Sequence, residues 1–430
     1  MGLGIAALNK LAGNPLMDRF GLRKPVEKAL YESTKTGFRT IAAASRKFAA
    51  ASKSSKPARL PSSGGGKGLF DLTPTEDQQM IQETVREFAA EQLRPVAADA
   101  DAACAAPDDL LSKVSELGLT LIGVPEESGG AGTERSAVTN VLVAEALSQG
   151  DMGLAIAALA PSAVSTALVL WGDSEQQATY LPSFVGDDVP AAALAIAEPR
   201  PLFDPLSLKT IARRTAGGFV IEGVKALVPR AAQAELFIVA AQLEGRGPAL
   251  FVIESSTSGL AVESDPAMGL RAAGMGRLVL DKVTVPDTAL LGDSESYREC
   301  VRLSRLAWCG LALGTAQAVL DYVIPYVNGR VAFGEPISHR QAVAFKVADI
   351  GIELEGMRLV TYRAASRAEQ GKAFDREVAL ARRLCSDKGM QIGSDGVQLL
   401  GGHGYVKEHP VERWYRDLRA IAVAEGVVLV

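Results

Sequence analysis

Residues 235–253 read Glu-Leu-Phe-Ile-Val-Ala-Ala-Gln-Leu-Glu-Gly-Arg-Gly-Pro-Ala-Leu-Phe-Val-Ile. Two short runs rich in β-branched and aromatic residues, 235–241 and 249–253, flank the turn residues 245–247, as in a β-hairpin. Similar short runs lie on either side of this hairpin, at 219–221, 260–262 and 277–283. Their spacing predicts an antiparallel β domain of about 100 residues.

Helical periodicity replaces this pattern on both sides of the β segment. Before it, helices are predicted at residues 75–92, 108–117, 137–149, 154–171 and 174–181. After it, three helices with the lengths of bundle helices are predicted at residues 297–330, 341–369 and 374–400. Helices, then strands, then helices indicate an α+β fold and not βαβ alternation. Because no GxGxxG motif follows a strand, a Rossmann-type nicotinamide site is not expected.

The predicted fold class is therefore α+β with three folded parts. Residues 1–68 are expected to form a basic amphipathic extension and a flexible linker, followed by an N-terminal helical domain at 69–190. A middle β domain is expected at 191–293 and a C-terminal domain resembling a four-helix bundle at 294–430. The linker prediction rests on residues 54–67, which contain two prolines and three consecutive glycines.

Basic charge is concentrated at the start of the chain. The 430 residues carry a net charge of −5, yet residues 1–60 contain twelve Lys and Arg against three Asp and Glu. Within this segment, residues 22–50 place apolar side chains at roughly helical spacing among basic ones. Such a helix is expected either to lie on an anionic membrane surface, as a peripheral contact through residues 1–60, or to pack on the protein's own oligomer.

Composition argues against several other classes of protein. The four cysteines lack CxxC spacing and the three histidines lack metal-ligand spacing, so no metal centre is expected and a reducing compartment fits. The apolar run 154–170 is interrupted by Pro161 and two serines, which indicates a buried helix and not a membrane span. Nucleic-acid binding is not expected, because the basic excess is confined to the extension.

Three motifs occur in a fixed order along the chain. They are GVPEESGG at 123–130, RVAFGEPI at 330–337, and QLLGGHGY at 398–405, the last followed by Arg416-Asp417 and Glu425-Gly426. With this order and spacing, the chain resembles the acyl-CoA dehydrogenase family, flavoenzymes that dehydrogenate acyl thioesters between Cα and Cβ. The resemblance covers about residues 70–426.

The resemblance implies an FAD-dependent acyl-CoA dehydrogenase with Glu425 as the catalytic base. Removing the α-proton of a thioester requires a base and a polarised carbonyl, and the β-hydride requires an acceptor, which a flavin supplies. Arg305, on the first bundle helix, matches a family arginine beside this base and is a candidate substrate-site residue. A second family branch places its base on that helix, where this chain has Ser304, which cannot act as one.

A second set of residues is implied to bind the FAD of a neighbouring subunit. Arg330 offers a guanidinium to the diphosphate, and the two glutamines of the set offer amide donors. The implied ligands are Arg330, Phe333, Gln341, Gln398, Gly401 and Gly402. A site shared between chains implies a homotetramer or a mixed tetramer, with an acyl-CoA substrate and electron-transfer flavoprotein or a similar acceptor as redox partner. The expected location is the cytoplasm of a bacterium, or the mitochondrial matrix in a eukaryote.

The chain departs from the family pattern where the flavin ring is expected. Ala197 stands where a hydroxyl is usual, Leu227 replaces a stacking Trp, and Pro229 replaces a Ser or Thr. Val427 replaces a Thr after Glu425-Gly426. Each lost hydrogen bond costs about 1 kcal/mol, and the lost stacking a similar amount, so weak FAD binding is expected.

Other groups of the chain are candidates to replace these lost contacts, and two alternative functions are compatible with the sequence. The backbone N–H groups near Glu198 and Arg230, with Arg200 as an added cation, are the candidates to replace the missing donors. One alternative is a subunit of a mixed acyl-CoA dehydrogenase complex whose own flavin site is incomplete. The other is a non-catalytic, membrane-associated scaffold derived from the family.

Overall fold

The computed structural model describes residues 57–60, 72–186 and 188–430. The predicted basic helix at 22–50 and most of the predicted linker at 54–67 lie outside these residues. Within them, the chain forms helices, then a sheet, then helices, as the sequence predicted.

Seven α-helices lie in the described part of the N-terminal domain. They are α1 (Glu76–Phe88), α2 (Ala97–Ala103), α3 (Asp108–Glu116), α4 (Leu119–Gly123), α5 (Ala137–Gly150), α6 (Met152–Trp171) and α7 (Ser174–Tyr180). Thr75 is the N-cap of helix α1 and forms a capping box with Gln78. Asp151 is the N-cap of helix α6, and its carboxylate accepts the backbone N–H of Leu154. These caps fix where the two helices start.

The middle domain is one sheet of eight strands. They are β1 (Ala192–Ala195), β2 (Ile211–Thr215), β3 (Gly218–Val228), β4 (Leu236–Leu243), β5 (Gly247–Glu254), β6 (Leu260–Ser264), β7 (Gly276–Val285) and β8 (Leu290–Leu291). Seven of them follow the order β6-β7-β3-β2-β4-β5-β8, and β1 pairs with β4. The sheet is largely antiparallel, as predicted, and adds two short parallel pairings, β1 with β4 and β2 with β4.

Strand β4 shows why residues 236–241 are apolar without alternation. Its side chains point alternately to two separate cores, because successive strand residues face opposite sides of a sheet. Leu236 and Ile238 join a core shared with the helical domains. Phe237 and Val239 join a second core inside the β domain. Both faces of the strand are therefore buried.

The C-terminal domain contains three long helices and a shorter one. They are α8 (Ser294–Gly329), α9 (Gln341–Glu369), α10 (Asp375–Leu400) and α11 (Val411–Ala420), with a small hairpin of β9 (Val331–Ala332) and β10 (Glu335–Pro336) after α8. The long helices begin and end within three residues of the predicted bounds. Helix α8 also crosses α5 closely: a Cβ at Gly314 would lie 1.9 Å from the Glu145 carbonyl oxygen. The two helical domains therefore share one packed core.

Two helices of the described residues, α6 and α8, are long and apolar enough to span a membrane by composition alone. In the fold, 78% of the most apolar window of α6 and 72% of that of α8 are buried. Both helices therefore bury their apolar surface against the protein itself, as the sequence predicted for residues 154–170.

A buried ionic junction connects the three domains. Asp417 of α11 accepts the backbone N–H of Leu270 at 2.6 Å, and Arg413 donates to Asp151 at 2.9 Å. Burial, reinforced by the negative charge of Asp151, raises the pKa of Asp417 to about 8. The junction therefore holds a carboxyl group that stays protonated well above its usual range.

This shift predicts that stability depends on the protonation of Asp417. Because the folded pKa of about 8 exceeds the unfolded value of about 3.9, the Asp417 contribution to the unfolding free energy falls as pH rises between these values. It is lost above the folded value. The full shift corresponds to at most about 6 kcal/mol. Urea midpoints at pH 5, 7 and 9 should fall less steeply in Asp417→Asn, which keeps the acceptor for Leu270 without a charge. Parallel pH profiles for the two proteins would contradict this assignment.

Candidate active site

Glu425 lies in the turn that follows α11, and α8 fixes the backbone of this turn. Gly426 has a φ of +76°, and a Cβ there would lie 2.9 Å from the Ile196 side chain, so the turn requires glycine. The Gly426 carbonyl accepts hydrogen bonds from Ser304 Oγ at 2.7 Å and Trp308 Nε1 at 2.8 Å. The hydroxyl at 304 therefore supports the turn that carries Glu425.

Two arginines converge on the Glu425 carboxylate, which is only 7% exposed. Arg305 Nε lies 3.0 Å from both carboxylate oxygens, and its Nη2 lies 2.7 Å from Oε1. Arg382 of α10 places Nη2 3.6 Å from Oε1 and also donates to the Ala424 carbonyl. Burial opposes the charge of Arg305, but its hydrogen bonds to Glu425 and the negative charges of Glu425 and Asp204 together outweigh burial and raise the pKa of Arg305. The structure thus brings the predicted base and the predicted arginine into direct contact.

The sequence analysis missed Arg382. Its neighbour Arg383 is also an arginine, and its side chain is 80% exposed and pairs with Asp387. Arg382 and Arg383 are adjacent on α10, and they differ in that the side chain of Arg382 faces the protein interior and that of Arg383 faces solvent. On a helical wheel of α10 (Asp375–Leu400), Arg382 lies beside the buried Val378 and Cys385, and this is the signal that would have suggested a buried position.

Two backbone N–H groups near the expected flavin ring, those of Leu227 and Arg230, are already occupied. Leu227, with φ of +53°, donates its N–H to Asp265 at 2.9 Å. Pro229 has no N–H. Arg230, with φ of +49°, donates its N–H to the Ala273 carbonyl at 2.9 Å. The expectation that the Arg230 N–H replaces a lost flavin donor is therefore wrong, because this group stabilises the strand end instead.

Arg200 is also engaged within its own loop. Its guanidinium donates to the carbonyl oxygens of Asp204 and Ser207, and it lies over the Phe203 ring at 5.4 Å. Its Nε is 3.6 Å from a carboxylate oxygen of Glu198. Arg200 therefore closes the loop 198–207, and the expectation of an added free cation for the flavin is wrong.

Glu198 and Lys225 form a buried ion pair behind this loop. Lys225 Nζ lies 3.1 Å from Glu198 Oε1, and the N–H groups of Lys209 and Thr210 donate to the same carboxylate. Burial opposes the Glu198 charge, but Lys225 and these amides outweigh it and lower the pKa of Glu198. Burial lowers the pKa of Lys225 to about 8. The pair links the segment that follows β1 to β3.

The implied diphosphate ligands lie together at an exposed end of the C-terminal domain. Helix α8 ends there, α9 begins there, and the loop after α10 returns to it. Tyr326 of α8 lies 2.8 Å from His403 Nδ1 and 3.3 Å from the Leu400 carbonyl oxygen, which joins the end of α8 to the turn at 401–402. All six implied ligands are exposed or nearly so: Arg330, Phe333, Gln341, Gln398, Gly401 and Gly402.

These ligands have unused binding capacity. Within the described ranges, the Arg330 guanidinium has no hydrogen-bond partner. A Cβ at Gly401 or Gly402 would meet nothing within 4 Å, so the backbone there is open to a close approach. A free guanidinium beside open backbone amides suits a diphosphate. This end of the C-terminal domain therefore fits the diphosphate half of FAD.

A histidine pair supports this exposed end, and the sequence analysis missed it. The rings of His403 and His409 stack at 5.3 Å with an interplanar angle of 17°. Tyr326 and Tyr322, one turn apart on α8, hold the Nδ1 atoms of His403 and His409 at 2.8 Å and 2.7 Å. The spacing of the two tyrosines and the two histidines was the available signal. The pair orients the glycine turn relative to Arg330.

Comparison with known proteins decides the family. Three family models match in order: the acyl-CoA dehydrogenase N-terminal domain over residues 75–188, the middle domain over 193–283 and the C-terminal domain over 295–428. The chain belongs to the acyl-CoA dehydrogenase family. It is 33% identical over 361 residues to the mitochondrial short-chain specific acyl-CoA dehydrogenase of Bos taurus, which spans 82% of this chain and 87% of that protein. It is 31% identical over 362 residues to an acyl-CoA dehydrogenase of Bacillus subtilis (strain 168), with 82% and 95% covered.

Solved structures agree with this acyl-CoA dehydrogenase assignment. Butyryl-CoA dehydrogenase from Megasphaera elsdenii matches with a TM-score of 0.76 and 28% identity, covering 83% of this chain and 96% of that one. A structure described as PigA with FAD and proline matches with a TM-score of 0.76 and 26% identity, covering 82% and 95%. The predicted family, the three-part fold and the FAD-dependent oxidoreductase activity are confirmed, and the two alternative functions are not favoured.

The two halves of the FAD site differ in this acyl-CoA dehydrogenase. The implied diphosphate half offers free donors, whereas the implied ring half has Ala197, Leu227 and Pro229. The N–H groups of Leu227 and Arg230 are already used there. We therefore predict that FAD dissociates readily, and that Leu227→Trp with Pro229→Thr increases retention by restoring a stacking surface and a hydroxyl donor. The measurement is the ratio of flavin absorbance to protein after dialysis, compared between the two proteins.

A matched variant separates the two halves of the site. Arg330→Gln removes a diphosphate contact without touching the ring half, so it should lower FAD retention in both backgrounds. One tightly held FAD per chain after dialysis of the unmodified protein would show that the ring half binds better than its donors indicate.

Proposed function

We propose that this chain oxidises an acyl-CoA thioester between Cα and Cβ, with Glu425 as the base that removes the α-proton. The observation that carries the proposal is a carboxylate buried on a glycine turn and surrounded by Arg305 and Arg382. A carboxylate shielded from water stays ionised only when cations compensate its lost hydration, and an ionised carboxylate is what proton abstraction requires. FAD, when bound, accepts the β-hydride.

The position of Glu425 supports this role. Its turn contacts α8 through Ser304 and Trp308 and the β domain through Ile196, so the carboxylate lies at the junction of the bundle and the sheet. Junctions between domains are where small-molecule sites are commonly built. Rigid support of the turn from two domains also favours a base with a fixed orientation.

The names of relatives guide the choice of substrate and acceptor. The Bos taurus relative is named for short-chain acyl-CoA, and the Megasphaera elsdenii structure is of a butyryl-CoA dehydrogenase. We therefore propose a short-chain acyl-CoA as substrate, with butyryl-CoA the first compound to test. A further similar structure, 29% identical with a TM-score of 0.76, is described as electron transferring flavoprotein of Acidaminococcus fermentans. A flavoprotein of this kind is our proposed electron acceptor.

Assembly as a homotetramer is part of the proposal. Helix α9 exposes Phe345, Ile352 and Leu359 at 59%, 69% and 57%, each seven residues from the next. This spacing places them on one face of the helix, and an exposed apolar row of this kind marks an interface. The unpaired diphosphate ligands at the end of the same helix support a site completed by a second chain.

The basic extension is proposed to make a peripheral membrane contact. Its described part, residues 57–60, is held on the body: Ala58 exchanges two hydrogen bonds with Gln177, and Arg59 donates to the Gly172 carbonyl. This fixes where the extension leaves the folded domains. Relatives include mitochondrial and bacterial enzymes, so we propose a location in the bacterial cytoplasm or the mitochondrial matrix.

Glu425→Gln tests the proposed base. The amide keeps the shape of the side chain but cannot accept the α-proton, so turnover with butyryl-CoA should fall by roughly 10²-fold or more. The amide leaves Arg305 and Arg382 without a counter-charge, which lowers the melting temperature, so turnover is compared at a temperature where circular dichroism shows both proteins folded. Glu408→Gln, at an exposed position, is the matched control and should retain full activity. Full turnover in Glu425→Gln would place the base elsewhere.

Ile352→Glu tests the proposed assembly. A charge in the centre of the exposed row on α9 should split the oligomer, because burying an unpaired carboxylate in an interface is costly. Light scattering should report a tetramer for the unmodified protein and a smaller species for the variant, with lower FAD retention. Glu353→Gln, the next residue along α9, serves as control. A monodisperse 45.1 kDa monomer for the unmodified protein would exclude the shared site.

A further inference from the structure

Arg382 is the second cation on Glu425, and it is more deeply buried than Arg305. Its side chain is 12% exposed, whereas that of Arg305 is 32% exposed. One of its terminal nitrogens, Nη1, is buried and has no hydrogen-bond partner within the described part of the chain. Its other terminal nitrogen, Nη2, is tied to the Ala424 carbonyl. A buried donor nitrogen without a partner is rare in folded proteins, and this one lies on an arginine that contacts the proposed base.

The contacts of Arg305 supply an explanation for this unpartnered nitrogen. Arg305 engages both oxygens of Glu425, at 3.0 Å through Nε and 2.7 Å through Nη2. A guanidinium across both oxygens makes a carboxylate a weaker proton acceptor, so the reacting complex favours an Arg305 that has turned aside. Removing it without a replacement would leave a buried charge uncompensated, which is strongly unfavourable.

We propose that Arg382 is the positioning residue that holds Glu425 ionised and oriented in the reacting complex, after Arg305 has turned away. Its Nη2 is already 3.6 Å from Glu425 Oε1, and the Ala424 carbonyl keeps it in place. The spare Nη1 provides the donor for the oxygen that Arg305 releases. The greater exposure of Arg305 gives it the room to move. This inference rests on the proposed role of Glu425 as base.

The first test compares the acid limbs of two pH profiles with butyryl-CoA in enzyme loaded with FAD. The acid limb of kcat/KM reports the free enzyme, where both arginines are present, and that of the saturating single-turnover rate reports the bound complex. Arg382→Gln should move both limbs to higher pH by about one unit, the effect of removing a cation within 4–6 Å of a carboxylate. Arg305→Gln should move only the limb of kcat/KM. Arg382→Lys keeps the charge and should leave both limbs in place.

A second readout needs no cofactor. In flavin-free protein labelled with ¹³C at glutamate carboxyls, Glu425→Gln identifies the Glu425 signal. In an Arg305→Gln background, adding Arg382→Gln should raise the titration midpoint of that signal by about one pH unit. Arg383→Gln, which alters the exposed neighbour, should not.

The results that overturn the inference are distinct from those that overturn the proposed base. A single-turnover limb that moves with Arg305→Gln and not with Arg382→Gln would show that Arg305 stays on the base. A rate loss in Arg382→Gln with unmoved limbs and no recovery in Arg382→Lys would show a packing role only. Where Arg382→Gln fails to fold, Arg382→Lys replaces it in the test. A shifted single-turnover limb in Arg382→Lys would contradict the inference, because the lysine keeps the positive charge. Full turnover in Glu425→Gln would instead remove the proposed base, whatever Arg382 does.

Discussion

Keeping one carboxylate charged out of water is the constraint on which this site depends. Glu425 is almost fully buried, and a buried charge persists only with partners that replace its hydration. Helix α8 meets much of this requirement, because Ser304, Arg305 and Trp308 lie within two turns and all contact the turn at 425–426. The packing of α8 against α5 and α10 in turn fixes where those side chains point. The core of the protein thus serves the placement of a single ionised group.

The sequence predicted the parts of the fold that local pattern determines. The long bundle helices have unbroken helical periodicity, and the hairpin at 235–253 has two strand-like runs around a glycine turn, so both were found. The parallel pairing of β1 and β2 with β4 was not, since pairing between distant segments leaves no local signal. Glu425 and Arg305 were found through motif spacing. Arg382 was not, because burial distinguishes it from Arg383 and burial depends on packing.

In the flavin region, too, the sequence predicted the local change but not the tertiary contacts. Substitutions at 197, 227 and 229 were visible in the sequence, and the missing side-chain donors followed directly. Whether the backbone could replace them was a tertiary question. The N–H groups of Leu227 and Arg230 are used by Asp265 and Ala273, and Arg200 closes its own loop. A hydrogen-bond donor can be counted from sequence, but its partner is settled only by folding.

Helix α8 connects the support of the base with Arg330, an implied ligand of a neighbouring subunit's FAD. Its 36 residues carry the support for the base about a third of the way along and end next to Arg330. At 1.5 Å per residue over 25 residues, Arg330 is about 38 Å from Arg305. In the proposed assembly, each such helix serves its own catalytic turn and the cofactor of a neighbour. Two inactive chains, one altered at 425 and the other at 330, would then rebuild a working centre when mixed. Genetic complementation between alleles of one gene is the expected behaviour of an enzyme built in this way.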